Sequence, residues 1–316
     1  MNTMKSILAV TAMAEYSMNF WDAMKSDNTA GTVLNTAADS NGAYYLPQSS
    51  ETDFRSAVKD NAVMRNLATE HRKYEGSSVI WAYDSDDCAE FVEEGEPVPG
   101  SDVKDDFTQI RINSYKLASL AKASGEFVHD AGFDIKKYVI GHFGKSFAKA
   151  EDKAFINGTG VDEPTGLLHA TAGAETADTV ESLTYDDCIN LFFSIKPEYR
   201  KNAVWLMNDS TALTLRKLKD EDGNYLWNSV NDIILGRPVY ICNEMPDADA
   251  GEKPVAFGDM SYYWIIDRTP ASFKVLHELY AAKDQVGYIG YERLDGRLIR
   301  SDAVKVIKMA DEEETV

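Results

Sequence analysis

Several short stretches of this chain carry residue types that could do chemistry, and each fails on spacing. His277-Glu-Leu-Tyr-Ala281 begins like the helical motif of zinc hydrolases. There, two histidines one turn apart hold the metal and the Glu between them is the base. Ala281 stands where the second histidine has to be. Gly144-Lys-Ser146 matches the end of a phosphate-binding loop. Val139 replaces that loop's first glycine, and the tripeptide falls inside a helical pattern instead of after a strand. Gly158-Thr-Gly160 would need a glycine at 163 to bring backbone against a pyrophosphate, and Glu163 is there. Asp220-Glu-Asp-Gly-Asn224 has oxygen ligands at calcium-loop spacing, but its sixth position is Tyr225 and its twelfth Asn231. There is no Gly-x-Ser-x-Gly nucleophile elbow, and the 5 histidines are scattered. No catalytic, metal or cofactor site is expected.

The bulk properties narrow the class further. The 316 residues are 44% hydrophobic, which supports a folded chain with a good-sized core. Lys and Arg number 32 against 52 Asp and Glu, a net charge of −20. That excludes nucleic-acid binding over the whole surface, which depends on cations neutralising phosphates. It suits a protein that stays dispersed at high concentration. Cys88, Cys188 and Cys242 are odd in number and far apart, so reduced thiols are expected, not a disulfide framework or a zinc site. No apolar run could span a membrane. The segment Ile7 to Ala14 has faint features of a secretory signal. Met13, Tyr16, Phe20 and Met24 continue at helical spacing beyond it, which predicts an amphipathic helix instead.

The element around which the chain is organised is a long helix from Phe133 to about Gly158. Ile135, Val139, Phe143, Phe147, Ala150 and Ala154 make one apolar stripe. Asp134 suits the N-cap, and Gly158 suits a left-handed C-terminal stop. Gly141 and Gly144 inside it weaken the helix by ~1 kcal/mol each against Ala, so something is expected to pack closely there. Before the helix, 28–42 is a polar arm ending in the apolar anchor Tyr44-Tyr-Leu-Pro47, which would dock on a neighbour or fold back on its own domain. A second helix is predicted from Glu51 to Leu67. From Ser78 to Ala123 the period becomes two, around the turn-rich Gly95-Glu-Pro-Val-Pro-Gly100. This reads as one long hairpin with a parity switch near Ser114 that suggests a bulge. Beyond the long helix come a helix capped by Thr184, a buried strand Ala203–Met207, a helix from Asn208 to about Leu218, a strand reached through Leu235-Gly-Arg-Pro-Val239, and strands at 255–259 and 262–266. Last, 285–300 alternates and carries Asp295-Gly296, a two-residue hairpin signal whose partner strand would be 303–307.

Asn157-Gly-Thr-Gly160 followed by Glu163-Pro-Thr-Gly166-Leu-Leu, at the end of a long helix carrying Glu151-Asp152, resembles the major capsid proteins of tailed bacteriophages with the Hong Kong 97-type fold. Asn41-Gly-Ala-Tyr-Tyr-Leu-Pro47, the hairpin 78–123, Leu235-Gly-Arg-Pro-Val239, and Tyr291-Glu-Arg-Leu-Asp-Gly296 with Asp302-Ala-Val304 agree in the same order, over nearly all of 16–309. The resemblance implies an α+β fold. It would have an N-terminal arm (1–53), a first helix with an extended hairpin loop (54–125), a peripheral domain with the spine helix (126–184 and 285–316) and an axial α/β domain (185–284). It implies self-assembly into hexamers and pentamers of an icosahedral virion shell that encloses double-stranded DNA without sequence specificity. A portal protein would be a further partner, and assembly would take place in the host cytoplasm. Many relatives carry a long N-terminal scaffolding segment. This chain begins a short way before Phe20-Trp21, so a separate scaffolding protein, or assembly without one, is expected. Some relatives join subunits by a Lys–Asn isopeptide bond. Lys104, Lys116 and Lys122 lie in or near the hairpin, but no partner Asn or activating acid matches. An encapsulin-like compartment shares the fold and remains an alternative, as does a soluble hydrolase of unknown type.

One contact is expected beyond the resemblance. Lys145, Lys149 and Lys153 recur every four residues on the spine helix, while the hairpin tip carries Glu90, Phe91, Glu93, Glu94, Glu96 and Pro97. The acidic tip of one subunit would lie on the basic stripe of the next, near Gly141 and Gly144. The plain alternative is a solvated helix face partly paired with Glu151 or Asp152, where each exposed pair contributes only ~0–1 kcal/mol. Gly158, Gly160, Pro164 and Gly166 are expected to form a tight turn that sends the chain to the second domain, not a ligand cradle.

Overall fold

The computed structural model describes residues 4–25, 33–39, 42–74, 79–83, 91–92, 95, 107–130, 132–220, 222–227 and 232–311. The chain opens with helices α1 (Met4–Thr11) and α2 (Ala14–Lys25). Tyr16, Phe20 and Met24 bury one face of α2 at steps of four, whereas Met13 lies at the break between the helices and is exposed. The arm ends in β1 (Tyr44–Tyr45), where Tyr44 pairs with Phe273 and Tyr45 with Ser272. Tyr45, Leu46 and Pro47 are buried, and the Tyr16 hydroxyl donates to the Tyr45 carbonyl at 2.6 Å. The anchor is therefore seated on its own chain.

Helices α3 (Gln48–Asn61) and α4 (Met64–Leu67) share the span predicted for one helix, broken at Ala62 and Val63. Strand β2 (Thr69–Arg72) follows. Strands β3 (Val79–Tyr83) and β4 (Phe107–Arg111) pair antiparallel, with Val79 opposite Arg111. The next strand, β5 (Tyr115–Ser124), does not extend this hairpin. The parity switch at Ser114 is a change of sheet, not a bulge. The corner is held by the Asn113 backbone N–H, which donates to Asp295 at 2.6 Å. After α5 (Gly125–His129) comes the spine, α6 (Ile135–Asn157), with the Asp134 side chain accepting from the Lys137 N–H as N-cap.

Strand β6 (Glu175–Val180) precedes α7 (Tyr185–Ser194), whose start is a full capping box of Thr184 and Asp187. Then follow α8 (Pro197–Arg200), β7 (Val204–Met207), α9 (Asp209–Arg216) capped by Asn208, β8 (Ile233–Ile234), β9 (Arg237–Ile241) and β10 (Val255–Gly258). The chain closes with two 14-residue strands, β11 (Tyr263–Leu276) and β12 (Gln285–Leu298), and with β13 (Val304–Met309).

Two sheets organise the body. One places β1 and β2 on successive parts of the same edge of β11, then β12, then β5. The other runs β6-β13-β10-β7-β9-β8 and mixes parallel with antiparallel pairs. The expected Asp295-Gly296 hairpin does not form. β12 runs straight through it, with Gly296 opposite Ile265 and Asp295 opposite Ile266, and β13 belongs to the other sheet. Gly296 is there because a Cβ would stand 2.6 Å from the Tyr263 hydroxyl and 2.7 Å from the Phe155 ring. The expected domain limits at 185 and 284 likewise cut across the sheets, since β11 joins β5 and β12, while β6 and β13 join β7 and β10.

Three apolar clusters hold these parts together. Phe54, Val58, Phe143, Phe147, Phe273 and Tyr288 fill the space between α3, α6 and the first sheet. Trp205, Met207, Phe257 and Ile307 face α7 and α9 from the second sheet. Leu206, Ala256 and Val306 point the other way, onto Phe155 and Ile156 of the spine and Ile265 of β11. Burial on both faces explains why 203–207 reads as continuous apolar sequence without alternation. Cys188 and Cys242 are buried free thiols, pushed by burial to about 12 and about 11, so they are inert.

Candidate assembly surface

The spine helix divides its residues between two faces, both at steps of four. Ile135, Val139, Phe143, Phe147, Glu151 and Phe155 are buried. Gly141, Lys145, Lys149 and Lys153 are exposed. The apolar stripe anticipated through Ala150 and Ala154 is thus displaced: the buried line runs through Glu151 to Phe155, and the two alanines are half-buried.

The carboxylates expected to pair with the lysines point inward. Glu151 receives Arg65 in a fork, Nε to Oε2 at 2.6 Å and Nη2 to Oε1 at 2.9 Å. The same Nη2 donates to Asp267 of β11 at 3.0 Å. Arg55 of α3 lies beside, with Nη2 2.5 Å from Glu292 of β12, Nη1 3.5 Å from Asp267 and Nε donating to Glu51 at 3.1 Å. Arg55, Arg65, Glu151, Asp267 and Glu292 are all nearly inaccessible. Charges this deep persist only when paired. Burial pushes Asp267 upward, but the Arg55 and Arg65 guanidinium groups outweigh it and hold the carboxyl below its ordinary range. Asp152 accepts the N–H groups of Val63 and Met64 at 2.8 and 2.9 Å and so caps α4, although burial raises it to about 6. The joint ties α3, α4, the spine and both long strands into one support.

That support leaves the three lysines free on the outer face. None of them makes an ion pair among the described residues. The two spine glycines differ. A Cβ on Gly144 would lie 2.8 Å from the Cβ of Ala57, so Gly144 is covered by α3 of its own chain and not by a neighbour. Nothing lies within 4 Å of a Cβ on Gly141, which floors an open depression flanked by Asp53, Lys137 and Ile140. Of the expected hairpin tip, Glu90, Glu93, Glu94, Glu96 and Pro97 lie outside the described residues, while Phe91 is fully exposed.

The turn after the spine is built as a backbone lock. Gly158 is extended, at φ −60° and ψ 141°, and not left-handed as expected. It is glycine for closeness: a Cβ would meet the Pro164 and Ala154 carbonyl oxygens at 2.2 and 2.3 Å. Gly166 donates to the Gly158 carbonyl at 2.9 Å, and Gly160, at φ 74°, donates to Pro164 at 3.3 Å. Thr165 then binds Gly296 of β12 through its N–H, and its carbonyl accepts from the Tyr263 hydroxyl. The turn fixes the end of the spine to both long strands. Arg55, Arg65 and Asp267 carry no mark in the sequence; Glu151 and Glu292 stand within stretches that carry the family resemblance, but the apolar stripe from Phe147 to Ala150 passes Glu151 by.

Comparison with known proteins agrees with this architecture. The family model described as the phage capsid family matches residues 42–309. The capsid of an empty GTA particle computed with C5 symmetry is 29% identical, with a TM-score of 0.67, covering 79% of this chain and 90% of that one. The capsid of the native GTA particle, also with C5 symmetry, is 29% identical with a TM-score of 0.64, covering 78% and 89%. A chain of Microbacterium phage Oxtober96 shares the fold at 19% identity and a TM-score of 0.58, covering 79% and 91%. No curated protein matches the sequence. The chain belongs to the phage capsid family: it has the Hong Kong 97-type α+β fold and is a major capsid protein of a virion shell, a structural protein and not an enzyme.

Proposed function

We propose that this chain forms hexamers and pentamers of an icosahedral head around double-stranded DNA, and that neighbouring subunits engage where the acidic hairpin tip of one meets the lysine stripe of the next. The observation that carries the contact is the unpaired, exposed row Lys145, Lys149 and Lys153, whose nearest carboxylates in sequence are turned into the protein. The complementary charge is the run Glu90, Glu93, Glu94 and Glu96. Open Gly141 gives an arriving segment room beside the stripe. The capsids of the similar GTA particles were computed with C5 symmetry, which is in keeping with pentamers. The domains are best divided by sheet: a peripheral part of β1, β2, β5, β11 and β12 with α3 and the spine, and an axial part of the six-stranded sheet with α7 to α9. On this reading the partners are other copies of the chain, a separate scaffolding protein, a portal protein and the packaged DNA, and assembly takes place in the host cytoplasm.

Charge reversal tests the contact. The triple variant Lys145→Glu, Lys149→Glu, Lys153→Glu should fold with an unchanged melting transition and fail to form shells in electron micrographs. Normal shells from it contradict the contact. DNA retained in purified shells supports genome storage, whereas a co-purifying enzyme would point to a cargo compartment.

A further inference from the structure

Glu292 is the one member of the buried joint whose charge is not balanced. Arg55 and Arg65 supply two positive charges, and Glu151 and Asp267 already supply two negative ones. Glu292 has no accessible side-chain surface. Its ion-pair partners among the described residues are Arg55 at 2.5 Å and Arg65 at 3.8 Å, and neither of its oxygens gains a contact with hydrogen-bond geometry. The rim adds more negative charge, Glu51 from α3 and Glu70 from β2, with Lys59 set against Glu70. Arg72 and half-buried Tyr74 act from the β2 side.

The carboxyl itself is closed to solvent. Glu292 lines a pocket of about 100 Å³ between β1, β5, β11 and β12, together with Asp39, Lys116, Ser272, Tyr291 and Arg293. The charged groups facing the pocket are otherwise engaged: Asp39 accepts from Ala43 and Ser272, Lys116 sits over the Tyr291 ring, and Arg293 donates to the Ser114 carbonyl.

We propose that Glu292 is the proton-carrying member of the joint: protonated at neutral pH, it leaves the arginines and the other two carboxylates balanced, and losing its proton loosens α3 and α4 from the spine. Burial pushes its carboxyl up to about 8, with Arg55 and Arg65 opposing and Asp267 and Glu151 adding to the rise. The folded chain then holds a proton that the unfolded chain releases from about 4.5 upward. Stability contributed by this group is complete below that value and declines as pH rises towards about 8.

The test is a titration of the full chain with carbon-13-labelled glutamate carboxyls, for wild type and Glu292→Gln. One resonance should be missing from the variant, and in wild type that resonance should titrate near the upper end of this window. The variant should fold at neutral pH, because an amide stands in for the protonated acid, and should lose the fall in melting temperature expected of wild type between about pH 4.5 and about pH 8. A Glu292 resonance already ionised in mildly acidic solution overturns the proposal. So does a Gln variant that does not fold, or one whose melting temperature falls with pH as steeply as that of wild type.

Discussion

Arg65 reaches Glu151, Asp267 and Glu70 from a single guanidinium, and so joins α4 to the spine, to β11 and to β2. A fork–fork pair with Glu151 suits the planar guanidinium, and a lysine could not reproduce it. Removing one partner leaves uncompensated buried charge. Arg65→Met is therefore expected to destabilise the chain by about 3–5 kcal/mol in denaturant unfolding. Asp267 gives the acid side of the same joint. Its folded carboxyl is held below its ordinary value by the two arginines, so its contribution is present above that value and lost as pH falls through the folded one. Asp267→Asn should lower stability at neutral pH and flatten the acid limb of the stability curve. An acid limb as steep as that of wild type would remove Asp267 from this role. At this scale the sequence was least legible. Charged residues usually mark surface, and the pairing of Arg55 and Arg65 with Glu151, Asp267 and Glu292 exists only once distant elements have met.

Among the elements, the spine helix was legible, since its cap, its length and its first apolar turns follow from local chemistry. Its buried line was misread after Phe147 because the next place is filled by Glu151, a residue that no apolar pattern counts. Two hairpins were misread for one reason. Alternation marks strands but not their partners, so Ser78 to Ala123 and 285–307 each read as one ribbon although the chain changes sheets within both. Asp295-Gly296 mimics a turn, while its glycine is set by the Phe155 ring and the Tyr263 hydroxyl, which no local signal announces. The spine glycines give a matched test. Gly141→Ala should stabilise the isolated subunit by about 1 kcal/mol, because the site is open and the helix gains propensity. Gly144→Ala should destabilise it, because Ala57 has to move. If both changes prove neutral in thermal unfolding, the assigned packing of α3 on the spine is wrong.

The molecule as a whole separates a rigid interior from an outward charge pattern. The joint, the apolar clusters and the turn after Gly158 hold the spine against both long strands, while its lysines stay on the outside. A net charge of −20 makes such a row locally distinctive, since most of the surface of another copy would be repelled from itself. Each exposed pair contributes only ~0–1 kcal/mol, so the proposed contact would draw its strength from several pairs in one place and from repetition around a shell. High salt should accordingly slow assembly without unfolding the subunit, as followed by light scattering. The most direct measurement is an electron cryo-microscopy reconstruction of the assembled shell, read at Lys145, Lys149 and Lys153. Carboxylates of a neighbouring subunit's 90–96 segment should lie within salt-bridge distance of that row. A stripe that faces solvent, or that lies against any other part of the neighbour, would contradict it.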